Sequence, residues 1–284
     1  MTKSKLAALS RLFRLDLSVT AGICVFLGEL LALGRLPSVA QAIYGFLSIF
    51  CISATALILN DYFDIETDRI NAPSRPLPSG LVSKSEVLIL SVVVALLGFL
   101  FGFLISLQAL AVTIGVWIVG FLYNWRFKRT GIWGNLFVAF SVGMTFIFGG
   151  IAVGNPFEVV VWYLAVTTFL VDLGEEIAAD ALDVDGDRRT GSRSLAVVWG
   201  PERAMALAAG VFGLVVAGSA VPFVLGWLSW IYLPAIFIWD CFVLYSVIHL
   251  LNARRANRIR DIRRIYLSGL GMIIAFIIIR LASS

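Results

Sequence analysis

Two acidic stretches of this chain share one spacing. The first runs Asn60-Asp-Tyr-Phe-Asp-Ile-Glu-Thr-Asp68 and carries Asp61, Asp64 and Asp68; the second runs Asp180-Ala-Leu-Asp-Val-Asp-Gly-Asp187 and carries Asp180, Asp183 and Asp187. Each is D-x2-D-x3-D. On a continuous helix such positions share one face, so each stretch predicts a face of three carboxylates. Two such faces repel unless cations lie between them. An all-oxygen donor set suits Mg2+, which is usually held by a few carboxylates and by substrate phosphates. All six acids are therefore candidate metal ligands. The Asn60 amide oxygen can join them as a neutral ligand.

A diphosphate matches this arrangement. Two Mg2+ ions between the faces would bind its oxygens and neutralise them. They would act as Lewis acids on a departing pyrophosphate, where charge develops in the transition state. Nearby cations fit the same picture. Arg69, Arg75, Lys128, Arg188, Arg189 and Arg193 can contact phosphate oxygens, arginine through a bidentate fork and lysine as a point charge. Ser74-Arg-Pro-Leu-Pro-Ser-Gly80 must interrupt any helix and places Arg75 just beyond the first acids, as a clamp or lid. In the other direction, Asp172 and Glu176 extend the second acidic stripe inward, toward an acceptor or a third cation.

The elements that carry these residues are apolar. The chain has 284 residues, 60% hydrophobic and 14% charged, with a mean hydropathy of +0.95. This is the composition of an integral membrane protein. Nine apolar runs are long enough to span, near 17–35, 39–60, 86–107, 109–125, 133–153, 157–178, 202–225, 228–250 and 264–282. The third and fourth nearly abut, which keeps a count of eight open. No cleaved leader is expected. Cys24, Cys51 and Cys241 are scattered without metal spacing, and His249 is the lone histidine.

Charge sets the expected orientation. Of the 22 lysines and arginines, all but Arg35 and Arg280 fall before the first run or after even-numbered ones, Arg254 and Arg255 among them. The positive-inside rule then places the N-terminus and both acidic motifs in the cytoplasm and the C-terminus outside. The basic clusters are short and tied to span ends, so membrane lipid is the expected partner and nucleic acid is not. Gly143, Gly149 and Gly150, with Phe140, Phe146 and Phe148, either pack the fifth span or line a groove for an isoprenoid tail. Aromatic faces there would stabilise an allylic carbocation.

The first stretch, continued by Arg69-Ile-Asn-x3-Arg75-Pro-Leu-Pro-Ser-Gly80, closely resembles the first signature of the UbiA superfamily of intramembrane prenyltransferases. Asp180 through Asp187-Arg188-x2-Gly191-x-Arg193-Ser-Leu195 resembles the second. Tyr123 to Lys128 looks like the family's Tyr and Lys/Arg element, and Arg14 like its N-terminal arginine. The resemblance implies an all-helical single domain over residues 1–284, with nine transmembrane helices around a central cavity and two Mg2+ ions bridging an isoprenyl diphosphate. It implies that Asn60, Asp64 and Asp68 form one metal cluster and Asp183 and Asp187 the other. Arg14, Lys128, Arg69 and Arg75 would face the diphosphate, and Tyr123 the allylic carbon. The catalytic set becomes Asp64, Asp68, Asp183, Asp187, Tyr123 and Lys128. Diphosphate contacts fall to Arg14, Arg69, Arg75 and Arg193.

The first signature looks most like archaeal ether-lipid members, which favours geranylgeranyl diphosphate as donor and a glyceryl lipid as acceptor. A quinone-precursor aromatic acceptor is the alternative. Two other classes compete with this reading. A phosphatidyl-group transferase lacks its expected pattern, since Asp-Arg-Arg follows Gly186. A cation-coupled transporter would use Asp172 and Glu176 without the neighbouring cations.

Overall fold

A computed structural model describes residues 3–252 and 257–283; Arg254 and Arg255 lie outside the described residues. The fold is helical, with no strand among the described residues. It opens with α1 (Lys3–Leu12), α2 (Leu15–Leu33), α3 (Val39–Phe63), α4 (Ile65–Asn71), α5 (Lys84–Ile105) and α6 (Leu107–Leu122), which runs into a π-helical turn at Tyr123–Phe127. There follow α7 (Ile132–Ala152), α8 (Val159–Leu182), α9 (Val184–Thr190), α10 (Leu195–Trp199), α11 (Pro201–Gly218), α12 (Val221–Val224), α13 (Leu233–Leu251) and α14 (Ile259–Ala282).

Among the described residues eight segments are long and apolar enough to cross a membrane: α2, α3, α5, α6 with its π turn, α7, α11 with α12, α13 with its preceding turn, and α14. The remaining expected segment is α8. It is 24 residues long, but Asp172, Glu175, Glu176 and Asp180 interrupt its apolar character. It packs between α7 and α11. The abutting third and fourth runs are two separate helices. Ser106 is extended between them, and its hydroxyl caps α6 by accepting from the Ala109 amide at 3.0 Å. Ser83 and Glu86 close a capping box that starts α5.

Short amphipathic α1 precedes the first apolar run. Its Ala8 and Leu12 are buried with Cys51, Ile58 and Val87, and Lys5 forms an ion pair with Glu86 at the start of α5. This ties the N-terminal segment to the basic end of the bundle. At the opposite end, Arg280 reaches the α2–α3 turn: a Cβ added to Gly34 would lie 3.5 Å from its Nη2. The two off-side arginines of the sequence therefore share one end.

The fifth-span glycines are packing residues. A Cβ on Gly28 would lie 2.6 Å from the Phe146 carbonyl oxygen, and one on Gly149 would lie 2.8 Å from the Glu29 amide nitrogen. Helices α2 and α7 cross backbone to backbone there, which only glycine permits. Gly143 packs likewise against Ala165 of α8. Phe146 and Phe148 are buried in the core, so the face of α7 that meets open space is a different one.

Candidate active site

Neither acidic triad occupies one continuous helix face. Helix α3 ends at Phe63 and α4 begins at Ile65, leaving Asp64 as the joint. Helix α8 ends at Leu182 and α9 begins at Val184, leaving Asp183 as the joint. The backbone pattern repeats as well. The Asp64 amide donates to the Asn60 carbonyl at 3.0 Å and the Asp68 amide to Asp64 at 2.8 Å; the Asp183 amide donates to Ala179 at 3.1 Å and Asp187 to Asp183 at 3.0 Å. Each break leaves the central acid outside the long helix and starts a seven-residue helix bearing the third acid. The one-face expectation is corrected accordingly, because both long helices stop one residue before the central acid.

The first triad is wrapped by cations. Arg14 Nη2 donates to Asp61 Oδ1 at 2.7 Å. Arg75 Nη1 donates to Asp68 Oδ2 at 2.6 Å and lies 3.6 Å from Asp61 Oδ1. Lys128 forms an ion pair with Asp64. The Asn60 amide fits between them with its oxygen 2.8 Å from Lys128 Nζ and its nitrogen 3.2 Å from Asp64 Oδ2. Burial alone would lower the Arg75 pKa, but its hydrogen bond to Asp68 and the Asp68, Asp61 and Asp64 charges outweigh burial and raise it. Arg69 points elsewhere, in an exposed pair with Glu66 at 2.9 Å.

The second triad is held by neutral groups. Asn135 Nδ2 donates to Asp180 Oδ2 at 3.0 Å. Among the described residues no ion pair reaches Asp180, Asp183 or Asp187. Burial pushes the Asp187 carboxyl above its ordinary range, against hydrogen bonds from Ser194 and Ser192 and with a further push from Asp183. Its Oδ2 is buried without a partner. The Asp183 carboxylate folds over Gly186, where a Cβ would lie 2.5 Å from both carboxylate oxygens.

The segment after α6 joins the two triads. Asn124, in the π turn, donates from Nδ2 to the Ala56 and Gly120 carbonyls, both at 3.0 Å, which locks α6 to α3. The widened turn brings the Tyr123 phenol within electrostatic reach of Asp64 on one side and of Glu176, Asp180 and Asp172 on the other. Lys128 likewise lies within electrostatic reach of Glu176. Beyond it the Arg193 amide donates to the Arg129 carbonyl at 3.0 Å. Gly131 allows this contact: it has φ 69°, and a Cβ there would strike the Arg193 carbonyl. Both acidic motifs thus stand at one end of the bundle, on either side of Tyr123 and Lys128.

From that end a cavity of about 480 Å3 runs inward. Its mouth holds Arg14, Asn60 and Tyr123. Its wall is mostly apolar, with Trp117 and Phe121 of α6 and Phe137, Val138 and Val142 of α7. These, not Phe140, Phe146 or Phe148, are the residues of the suspected groove. Asp172, Glu175 and Glu176 line the α8 side. Sequence reasoning passed over Asn124 and Asn135, although an asparagine at the edge of an apolar run is the signal that would have flagged each.

The sequence pattern of the UbiA prenyltransferase family matches residues 21–270. This chain is a member of that family. Several digeranylgeranylglyceryl phosphate synthases are similar to it. The one from Thermococcus kodakarensis is 32% identical over 262 residues, covering 91% of this chain and 94% of its own. The one from Thermococcus sibiricus is 38% identical over 182 residues, covering 64% of each chain. A solved structure concerning digeranylgeranylglyceryl phosphate synthase in membranes superposes with a TM-score of 0.79 at 29% identity, covering 96% of this chain and 98% of that one. The fold is shared by a UbiA homolog from Aeropyrum pernix K1, with a TM-score of 0.82 at 19% identity over 94% of this chain and 98% of that one. As a UbiA prenyltransferase, the chain transfers an isoprenyl group from an allylic diphosphate. The transporter and phosphatidyl-transferase alternatives are thereby set aside.

Proposed function

We propose that this chain attaches a geranylgeranyl group to the free hydroxyl of a glyceryl ether-lipid phosphate, with release of pyrophosphate. One observation carries the reading. Two repeated acidic joints flank Tyr123 and Lys128 at the mouth of an apolar cavity. A charged diphosphate head and a long hydrocarbon tail need those two environments side by side.

A divalent cation suits the residues present. The donors are all oxygen, the second triad carries no paired cation, and Asp187 keeps a buried oxygen without a partner. Among the described residues no three acids stand close enough to grip an ion unaided, which accords with Mg2+ taking the rest of its ligands from a diphosphate. A UbiA homolog from Archaeoglobus fulgidus, similar in fold with a TM-score of 0.69 at 19% identity, is described bound to GPP and Mg2+. In our reading Asn60, Asp64 and Asp68 hold one ion, and Asp183 and Asp187 a second, with Asp61 and Asp180 supporting them. When bound, the ions supply Lewis-acid neutralisation of the leaving pyrophosphate.

The remaining work belongs to the chain. Arg75 and Arg14 orient Asp61 and Asp68 and share phosphate oxygens with Lys128. Arg193, backed by Arg129, closes the far side, and Arg69 joins only by exchanging Glu66. Tyr123 presents its ring at the junction of head and tail, where an electron-rich face stabilises developing allylic charge. Trp117, Phe121 and Phe137 exclude water from that fragment. We place the N-terminus and the acidic end in the cytoplasm, the C-terminus outside, and count α8 as a ninth crossing.

Transfer of radiolabelled geranylgeranyl, with and without Mg2+, tests the reading. The acceptors are a geranylgeranylglyceryl phosphate and an aromatic hydroxy acid. Mg2+-dependent product with the glyceryl lipid is the expected result. Product with the aromatic acid alone would overturn it.

A further inference from the structure

We infer that the groove between α13 and α14, on the outside of the bundle, binds an anionic membrane phospholipid. The lipid phosphate sits at Arg260, Arg263 and Arg264, and one hydrocarbon chain runs along the apolar trough beneath them. The site lies across a wall from the catalytic cavity and does not depend on which acceptor is prenylated.

The groove holds about 600 Å3. Residue spacing explains both of its walls. On α14, Arg260, Arg264, Leu267, Gly271 and Ala275 recur at steps of three or four and share one face. On α13, Ala235, Ile238, Trp239 and Phe242 share another. Ile238, Phe242 and Leu267 are exposed, so the trough opens on the outer surface. Trp239 and Met272 are buried and form its floor, since both also line the catalytic cavity. At Gly271 an added Cβ would meet no atom within 4 Å. The missing side chain leaves the trough open at that depth.

The rim of the groove is cationic, and no acid lines it. Among the described residues Arg260 and Arg263 make no ion pair. Arg264 pairs with Asp261, and its guanidinium carbon stands 4.9 Å from the centre of the Tyr245 ring. Asp261 is buried and also meets His249 of α13 at 3.4 Å, so its charge serves to fix Arg264 at the head of the groove. The acid of α13, Asp240, accepts from the Ser219 hydroxyl at 2.7 Å, toward α11. Guanidinium groups bind phosphate oxygens through charge-assisted hydrogen bonds. A choline or ethanolamine head would add an ammonium group with no carboxylate to meet it, whereas an anionic head adds none.

The dimensions are those of one leaflet. Tyr266 of α14 contacts the Thr20 hydroxyl at 2.9 Å and the Asp16 carbonyl at 3.4 Å. Arg14, just before α2, pairs with Asp61. The arginine rim therefore lies at the acidic end of the bundle. From Arg264 to Ala275 the wall extends roughly 16 Å at 1.5 Å per residue. That is close to half of a hydrocarbon core about 30 Å thick. A basic rim at the membrane surface, set over an apolar channel between two spans, recognises a charged headgroup and the tail below it. A lipid held there packs against the outer side of Trp239 and Met272 and supports the cavity wall from outside.

Native mass spectrometry of the full chain in a neutral detergent tests this. The probes are phosphatidylglycerol and phosphatidylcholine with the same acyl chains. The unaltered protein should retain one phosphatidylglycerol about tenfold more tightly than phosphatidylcholine. Arg260→Gln combined with Arg263→Gln removes two head contacts; Gly271→Leu fills the trough without changing charge. Each change should weaken phosphatidylglycerol binding about tenfold. Equal retention of the two lipids by the unaltered protein, a comparison that needs no variant to fold, would overturn the site. So would phosphatidylglycerol binding that neither change weakens. Rival occupants have their own signatures. A dimer that Gly271→Leu dissociates would give the groove to a second copy. A rise of about tenfold in KM for a glycerol monoether phosphate in both variants would make it an acceptor dock. Either result would overturn the proposal; a monomer with bound lipid, and a KM within about twofold of the parent, are expected. A protein that shows this lipid selectivity, yet transfers no prenyl group, would fault the proposed reaction and leave the site standing.

Discussion

Asp64 and Asp183 occupy the same place in two copies of one turn, each the single residue between a long helix and a seven-residue helix. Their surroundings differ. Asp64 meets Lys128, whereas Asp183 meets no cation among the described residues and folds over Gly186. One repeat is therefore compensated by protein charge, and the other is left to be compensated from outside.

Asp64→Ala and Asp183→Ala should each lower turnover by about 10²–10³-fold while leaving the thermal transition within a few degrees of the parent. Neither side chain packs a core. Prenyl transfer and melting in detergent measure the two quantities on the same preparations. Full turnover of either variant at saturating Mg2+ would remove that residue from the ion site.

Lys128→Met should act on the substrate head. It strips the positive partner from Asp64 and, in our reading, a phosphate contact from the mouth, so KM for geranylgeranyl diphosphate is expected to rise about tenfold or more. Affinity for inorganic pyrophosphate should fall in parallel. A variant with unaltered pyrophosphate affinity would restrict Lys128 to a structural pairing with Asp64.

Gly131→Ala is expected to destabilise the protein by about 2 kcal/mol, since the site combines a positive φ with contact against the Arg193 carbonyl. Because that contact backs Arg193, activity should fall as well. Chemical denaturation in detergent reads the first effect. A melting curve superimposable on the parent would show that the two loops separate without cost.

Asn135→Ala removes the amide that donates to Asp180. A loss of about tenfold in kcat, with KM for the diphosphate nearly unchanged, is the expected pattern for a positioning group. Rescue by Asn135→Gln would support it. A change in KM alone would instead place Asn135 on the substrate.

Much of this site was readable from residue spacing. The paired D-x2-D-x3-D motifs, the Arg75 turn and the aromatic-basic ending of α6 all reappear at one end of the bundle, because apolar runs of fixed length leave few places for charge. The helix breaks at Asp64 and Asp183 were not readable: Ile65 and Val184 carry no helix-stopping signal. The cavity face of α7 was also hidden. Phe137 and Phe148 look alike in sequence, and only the Gly28–Gly149 crossing decides which of them turns toward open space. Asn124 and Asn135 act through carbonyls and carboxylates far along the chain, and short-range pattern holds no record of such partners.

Helix α8 carries four carboxylic acids along a segment of membrane-spanning length. In our nine-crossing topology, such a segment is a poor candidate for the translocon to release into lipid by itself, since each acid near the midplane opposes partitioning. Packed between α7 and α11, it would on that topology enter together with these apolar neighbours rather than alone. On that topology the acids of α8 would set a condition on membrane assembly as well as on the cavity they line.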